Sequence, residues 1–363
     1  MGLPPSQALH LRGVVLPEAV QRDLWVRDGV ICAEPVPGAV TIAERGWVVP
    51  GLVDAHCHVG LDENGAVPAE VAEAQARTER EAGVLLIRDA GVAADTRWVD
   101  EREDLPRIIR AGRHIARSRR YIRNYGMEIE PSDLVAAVEA QALISDGWVK
   151  LVGDWIDREV GDLAPCWPRE ALQAAIGRAH ELGLRVTAHV FGEDCLPDLL
   201  DAGIDCLEHG TGLSADLVAT MAQRQVALVP TRLQIDNFPG YAAAGEPRFP
   251  AYAAHMRALH ARVDSTLRMA LEAGVPIYCG TDAGGVLAHG LAGQEIAALT
   301  RFGMAPEQAL AAGSWAAREW LGMPTRLEPG TPADLVVYDA DPRGDLATLL
   351  APRRVVLRGR VVG

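Results

Sequence analysis

The chain has 363 residues, of which 49% are hydrophobic and 23% charged, enough apolar material for a large core and incompatible with global disorder. Acidic residues outnumber basic ones 49 to 35, a net charge of -14, which argues against nucleic acid as a partner. No stretch is long and apolar enough to span a bilayer, and the opening MGLPPSQALHLRG has no basic region followed by an apolar run, so a cytoplasmic protein without membrane contact is expected.

Residues 1–50 read as short strands with tight turns: LHLRGVVL, then DLWVRDGVI with Arg27, Asp28 and Gly29 between apolar runs, then GWVVPG. From there to about residue 324, short apolar runs alternate with amphipathic helical stretches, the pattern of a parallel sheet with crossover helices. The candidate strands are LVDAHCHV, VLLIRDAG, RIIRAGR, WVKLVG, RVTAHVF, CLEHGTG, VALVPTRL and PIYCGTDAG. Helical partners include PAEVAEAQARTEREAG, PSDLVAAVEAQALISDG, PREALQAAIGRAHELG and SADLVATMAQRQ, the last with a capping serine. The helical stretch PEQALAAGSWAAREWLG leads into residues 325–363, where ADLVVYDAD and RRVVLRGRVVG return to strand patterning. The expected architecture is α/β: a (β/α)8 TIM barrel over 51–324, and a small β-sandwich built from 1–50 and 325–363.

Six cysteines (Cys32, Cys57, Cys166, Cys195, Cys206, Cys279) are scattered without a C-x-x-C, so they read as reduced thiols rather than a disulfide framework. Arginine occurs throughout, whereas lysine occurs once, at Lys150. A bias that replaces lysine wherever positive charge suffices leaves a lysine where arginine cannot do the work.

On the first candidate strand, His56 and His58 project to the same face because strand side chains alternate, so both imidazoles can grip one metal ion. Lys150, His189, His209 and Asp282 fall at the ends of later strands, and barrel enzymes gather their chemistry at those ends. Taken singly, each histidine reads as a core residue and Asp282 as a turn cap; as a set in register they read as a site.

In GLVDAHCH, the strand ending on lysine, HVFG, EHGTG, GTDAG and the tail LEPGTPADLVVYDADP, the chain resembles the amidohydrolase superfamily, closest to its imidazolonepropionase-like and prolidase-like branch. The resemblance covers nearly the whole chain. It implies that His56, His58 and Asp282 bind one metal ion and His189 and His209 a second, with a carbamate on Lys150 bridging them. Lysine fits that role because a neutral amine can add carbon dioxide, which a guanidinium cannot. Zinc is the expected metal, with manganese or cobalt as alternatives. Two ions about 3.5–4 Å apart acidify a shared water; the bridging hydroxide is the implied nucleophile, with Asp282 as general base and then general acid.

The implied reaction is hydrolysis of a peptide-like amide in a dipeptide or N-acyl amino acid. Arg120, Tyr121, Arg123 and Tyr125, in the basic loop after the third strand, together with Arg232 and His289, are the candidate substrate-binding residues, arginine being suited to a carboxylate. The alternatives are a cyclic amide or lactone hydrolase, or a deaminase with one metal. Deaminases of this superfamily usually carry His-x-x-Glu, and here Glu193 falls one position late after His189. A non-catalytic scaffold relative is the remote alternative, expected to lack ligands that are all present here. The partner is a small molecule, and the resemblance is compatible with a homo-oligomer.

Overall fold

The structure, a computed structural model, describes residues 7–363; the first six residues of the expected 1–50 segment lie outside them. Seven of the candidate strands form as parallel ladders. Leu52–Cys57, Val84–Asp89 and Arg107–Arg110 make a three-stranded sheet. Ile115–Arg117, Trp148–Val152, Arg185–Val190, Cys206–His209 and Ala227–Val229 join Met127–Ile129 in a six-stranded one. Apart from Arg107–Arg110, Ile115–Arg117 and Met127–Ile129, these strands are almost wholly buried, as strands covered on both faces must be. The helices Ala69–Glu81, Leu134–Ala142, Arg169–Glu181 and Ala215–Arg224 form where periodicity predicts them, and Ser214 caps the last by accepting from the Leu217 amide.

The fold is α/β and TIM-barrel-like, with two departures from expectation. The third candidate strand, RIIRAGR, ends early at Arg110, before Gly112 with its φ of 73°, and a further short strand, Ile115–Arg117, follows it. The eighth, PIYCGTDAG, makes only isolated bridges, Leu228 to Ile277 and Cys57 to Ala283. The parallel strands therefore do not form one continuous closed sheet. The eighth segment still spans the two sheets, with the Tyr278 amide donating to the Leu228 carbonyl (3.0 Å) and the Ala55 amide to the Cys279 carbonyl (2.8 Å). Its pleat ends because Asp282 is left-handed at φ 61° and glycine follows at 284.

Both termini meet in one eight-stranded hydrogen-bonded sheet. Its order runs Arg360–Val361, Arg354–Leu357, Leu335–Tyr338, Trp47–Pro50, Leu9–Val15, Val20–Arg27 and Val30–Cys32, with Val40–Ala43 also on Leu9–Val15. The hairpin at Asp28 and Gly29 has φ of 51° and 82°, the turn whose twist suits antiparallel strands. This sheet packs its own apolar cluster, including Leu11, Val15, Val48, Leu335 and Val356. A 23-residue helix, Pro250–Glu272, packs against the parallel-sheet core. No helix among the described residues is long and apolar enough to cross a membrane.

Candidate metal centre

Side-chain alternation along Leu52–Cys57 puts Asp54, His56 and His58 on one face. His58 sits just past the strand, where its Nδ1 lies 2.7 Å from the Gly91 carbonyl. A carbonyl can only accept, so Nδ1 carries the proton and Nε2 presents a lone pair. His58 Nε2 and His56 Nε2 each lie 3.0 Å from Asp282 Oδ1, and 3.2 Å from each other. Three ligand-capable atoms converge closely enough to share one cation, so the donor set fits a divalent ion.

The backbone that presents Asp282 is held by Asp54. Its carboxylate accepts from the amides of His56 (3.1 Å) and Thr281 (3.0 Å) and from the Thr281 hydroxyl (2.5 Å). Gly280 is required here: a Cβ would come within 2.6 Å of the His56 Cβ and 2.5 Å of Val229. Gly280→Ala is therefore expected to lower stability by about 1–3 kcal/mol and weaken metal binding, read by denaturant melts and metal titration; unchanged values would show that the strands can separate.

His189, on Arg185–Val190, and His209, at the end of Cys206–His209, form a second pair, with His189 Nδ1 3.0 Å from His209 Nε2. His209 Nδ1 rests on the Thr231 hydroxyl at 2.6 Å, while His189 Nε2 is buried without a hydrogen-bond partner. Two converging ring nitrogens, one ring pinned from behind, suit a second cation. Thr231→Val should weaken metal affinity about 10–100-fold, read by competition with a chelator; undiminished affinity would show that Thr231 does not orient the ring.

Burial is the main force that holds His56, His189 and His209 well below the usual imidazole range, so these rings are neutral and able to ligate. Burial would raise Asp282, but the imidazoles packed against it, His56 foremost, outweigh burial and keep the carboxylate well below its usual range.

Lys150 is buried among these residues, and its Nζ contacts Glu208. Glu208 also accepts from the Thr187 hydroxyl (2.8 Å) and lies 3.4 Å from Arg88, itself buried. Burial pushes the Lys150 amine down to about 7.

Three of the ligand candidates, His58, His189 and Asp282, line a cavity of about 420 Å³ together with Tyr121, Tyr125 and Trp155. A cleft of about 560 Å³ along Val92 to Arg97 touches none of the six ligand candidates. Of the expected substrate residues, Tyr121 and Tyr125 line the cavity. The others do not. Arg120 is paired with Asp157 (2.6 Å) and the carbonyls of Trp155 and Ala164. Arg232 is held by Asp264 and Asp236, and Arg123 is exposed and does not line the cavity. His289 is hydrogen-bonded to Glu79 at 3.0 Å, beside Cys57. Glu193 is tied to His255 at 2.8 Å and to Arg262, and is not a site carboxylate.

Sequence reasoning missed His114, Glu208, Asp54 and Thr231. His114, buried just past the third candidate strand, stacks on His58 with ring centroids 5.2 Å apart and touches Tyr121 at 5.3 Å. Both its ring nitrogens lack partners. The Glu-His dipeptide in EHGTG was a visible signal for Glu208; nothing in the sequence pointed to His114.

The sequence pattern of the amidohydrolase family matches residues 47–362. The chain belongs to the amidohydrolase family. An uncharacterised protein of Mycobacterium tuberculosis (strain ATCC 25618 / H37Rv) is 56% identical over 364 residues, covering 99% of this chain and 98% of the relative. An imidazolonepropionase of Anaeromyxobacter dehalogenans (strain 2CP-1 / ATCC BAA-258) is 28% identical, with 99% and 92% covered. Among solved structures, this amidohydrolase is similar to a Xaa-Pro dipeptidase with bound methionine in its active site, with TM-score 0.83, 22% identity, and 98% and 99% covered. It is also similar to an Aspergillus ochratoxinase (A. niger), with TM-score 0.78, 18% identity, and 99% and 96% covered. At these identities the two structures bear on the fold alone.

Proposed function

We propose that this amidohydrolase cleaves an amide bond of a small molecule with the help of divalent metal ions. The observation that carries the reading is the meeting of His56 Nε2, His58 Nε2 and Asp282 Oδ1 within 3.2 Å, His58 and Asp282 lining the 420 Å³ cavity. In it, His56, His58 and Asp282 hold one ion, His189 and His209 hold a second, and a carbamate on Lys150 spans them, with zinc as the metal. Metal ions bound there supply a polarised carbonyl and an acidified water. Asp282, whose side chain is 16% exposed toward the cavity, takes a proton from the attacking water and passes it to the leaving nitrogen. Gly91 fixes the proton of His58 on Nδ1, and Asp54 fixes the loop that presents Asp282. The division at residues 50 and 325 belongs to the same reading, supported by the separate apolar cluster of the terminal sheet.

A second reading uses one ion, with Lys150 remaining an amine paired to Glu208; their contact favours it. Metal content per chain separates the two. Activity of the metal-loaded protein on a panel of amides tests the reaction itself: released amine is expected, and uniform inactivity, or ammonia release from amino-substituted rings, would overturn amide hydrolysis. Arg120 of the basic loop, and Arg232 beyond it, are committed to internal partners, so neither lends support to a dipeptide or N-acyl amino acid.

A further inference from the structure

Above the candidate ligands the cavity wall is aromatic, formed by Tyr121, Tyr125, Trp155, Phe191, Tyr241 and Phe249. Tyr121 and Trp155 meet edge to face at 4.9 Å, and Phe191 packs on Trp155 at 6.4 Å and edge to face on the buried Phe238 at 4.6 Å. Such a wall is already fixed in orientation and offers ring faces and edges to an apolar guest.

Its charge is as informative as its shape. No arginine or lysine lines this cavity among the described residues, and Asp282 is the one carboxylate that does. The neighbouring arginines have their donors turned to Asp157, Asp236 and Asp264. Two polar groups of the wall, the Tyr125 hydroxyl and Gln234, are also committed to the protein. The Tyr125 hydroxyl donates to the Asp62 carbonyl at 2.8 Å, and Gln234 donates to the Tyr241 hydroxyl and accepts from Asn237, both at 3.0 Å. A carboxylate placed against this wall would lose its water and gain no counter-charge, a cost a neutral group escapes.

We infer that the site takes neutral amides carrying an aromatic or bulky apolar group, and discriminates against molecules with a free carboxylate on the part that contacts this wall. The inference deepens the amide-hydrolase reading and rests on its use of this cavity as the substrate site.

The test uses the metal-loaded protein and a matched pair of uncleavable ketones, 4-phenyl-2-butanone and its para-carboxylate, with calorimetric binding as the readout. Acetanilide and 4-acetamidobenzoate provide the matched cleavable pair. The neutral ketone is expected to bind at least about tenfold tighter, and the neutral anilide to be the better substrate. A carboxylated ketone that binds equally or better, or no binding of either, would overturn the inference. Ile122→Arg puts a cation on the exposed rim of the same cavity and should erase the preference; a preference unchanged in that variant would overturn the inference too, because wall charge would not be its cause. If the neutral ketone binds selectively while no anilide is cleaved, it is amide hydrolysis that fails, and the assignment of ligand class stands.

Discussion

Lys150→Arg is expected to bring metal content from two ions per chain toward one and to lower kcat/KM by about 10³-fold, the worth of several kcal/mol of charge stabilisation. The substitution keeps the positive charge and removes the chemistry. Lys150 lies on the strand Trp148–Val152, opposite Thr187 of the next strand, and is 1% exposed. Burial pushes its amine down to about 7, so near neutral pH a large share is unprotonated and able to add carbon dioxide, whereas a guanidinium stays protonated. The sign of the pH effect follows. Above about 7 the amine is mostly neutral and competent; as pH falls through that value it protonates, and carbamate uptake is lost. Metal content equilibrated in bicarbonate should therefore fall between pH 8 and pH 6. Metal analysis of Lys150→Arg that returned two ions with full activity would sink the bridging role and leave the one-ion reading, in which Glu208 pairs with whichever cation stands at 150.

Asp282→Asn should lower kcat by about 10⁴-fold, the upper end of what a positioned proton carrier contributes, with weaker metal binding besides. Asparagine keeps the shape of the side chain, and the Asp54 contacts to Thr281 hold the loop without it. It cannot take a proton, and it brings no negative charge to the pair of imidazoles 3.0 Å away. Excess metal separates the two losses. Saturating metal should restore occupancy and leave kcat depressed; full recovery of kcat would show that Asp282 serves as a ligand alone and that another group moves the proton.

The same elements show how far local sequence reaches. The period-two alternation in LVDAHCHV placed His56 and His58 on one face, and the solitary lysine marked Lys150, because both signals depend only on neighbours in the chain or on composition. The identity of the family was legible for a related reason: GTDAG keeps its glycines where backbone approaches backbone, as Gly280 does against His56. The alternation rule then fails on the sixth candidate strand, Cys206–His209. It would send Glu208 and His209 to opposite faces, yet both face the interior, since His209 takes a left-handed φ of 67° that turns its ring inward. His114 was hidden for a different reason, lying just past the third candidate strand, between Arg107–Arg110 and Ile115–Arg117, where no periodic pattern marks it.

By itself, then, the sequence determined the α/β alternation, the order of the candidate ligands and the strand ends on which they sit, since these are set by local periodicity and residue type. Only the tertiary structure decided which charges are free. Arg120 and Arg232 look alike in a sequence as carboxylate readers, but their partners Asp157 and Asp264 stand 37 and 32 residues away and cancel them on folding. What remains at the cavity is an aromatic wall with no cation among the described residues, because long-range pairing, which no local pattern encodes, consumes the donors first.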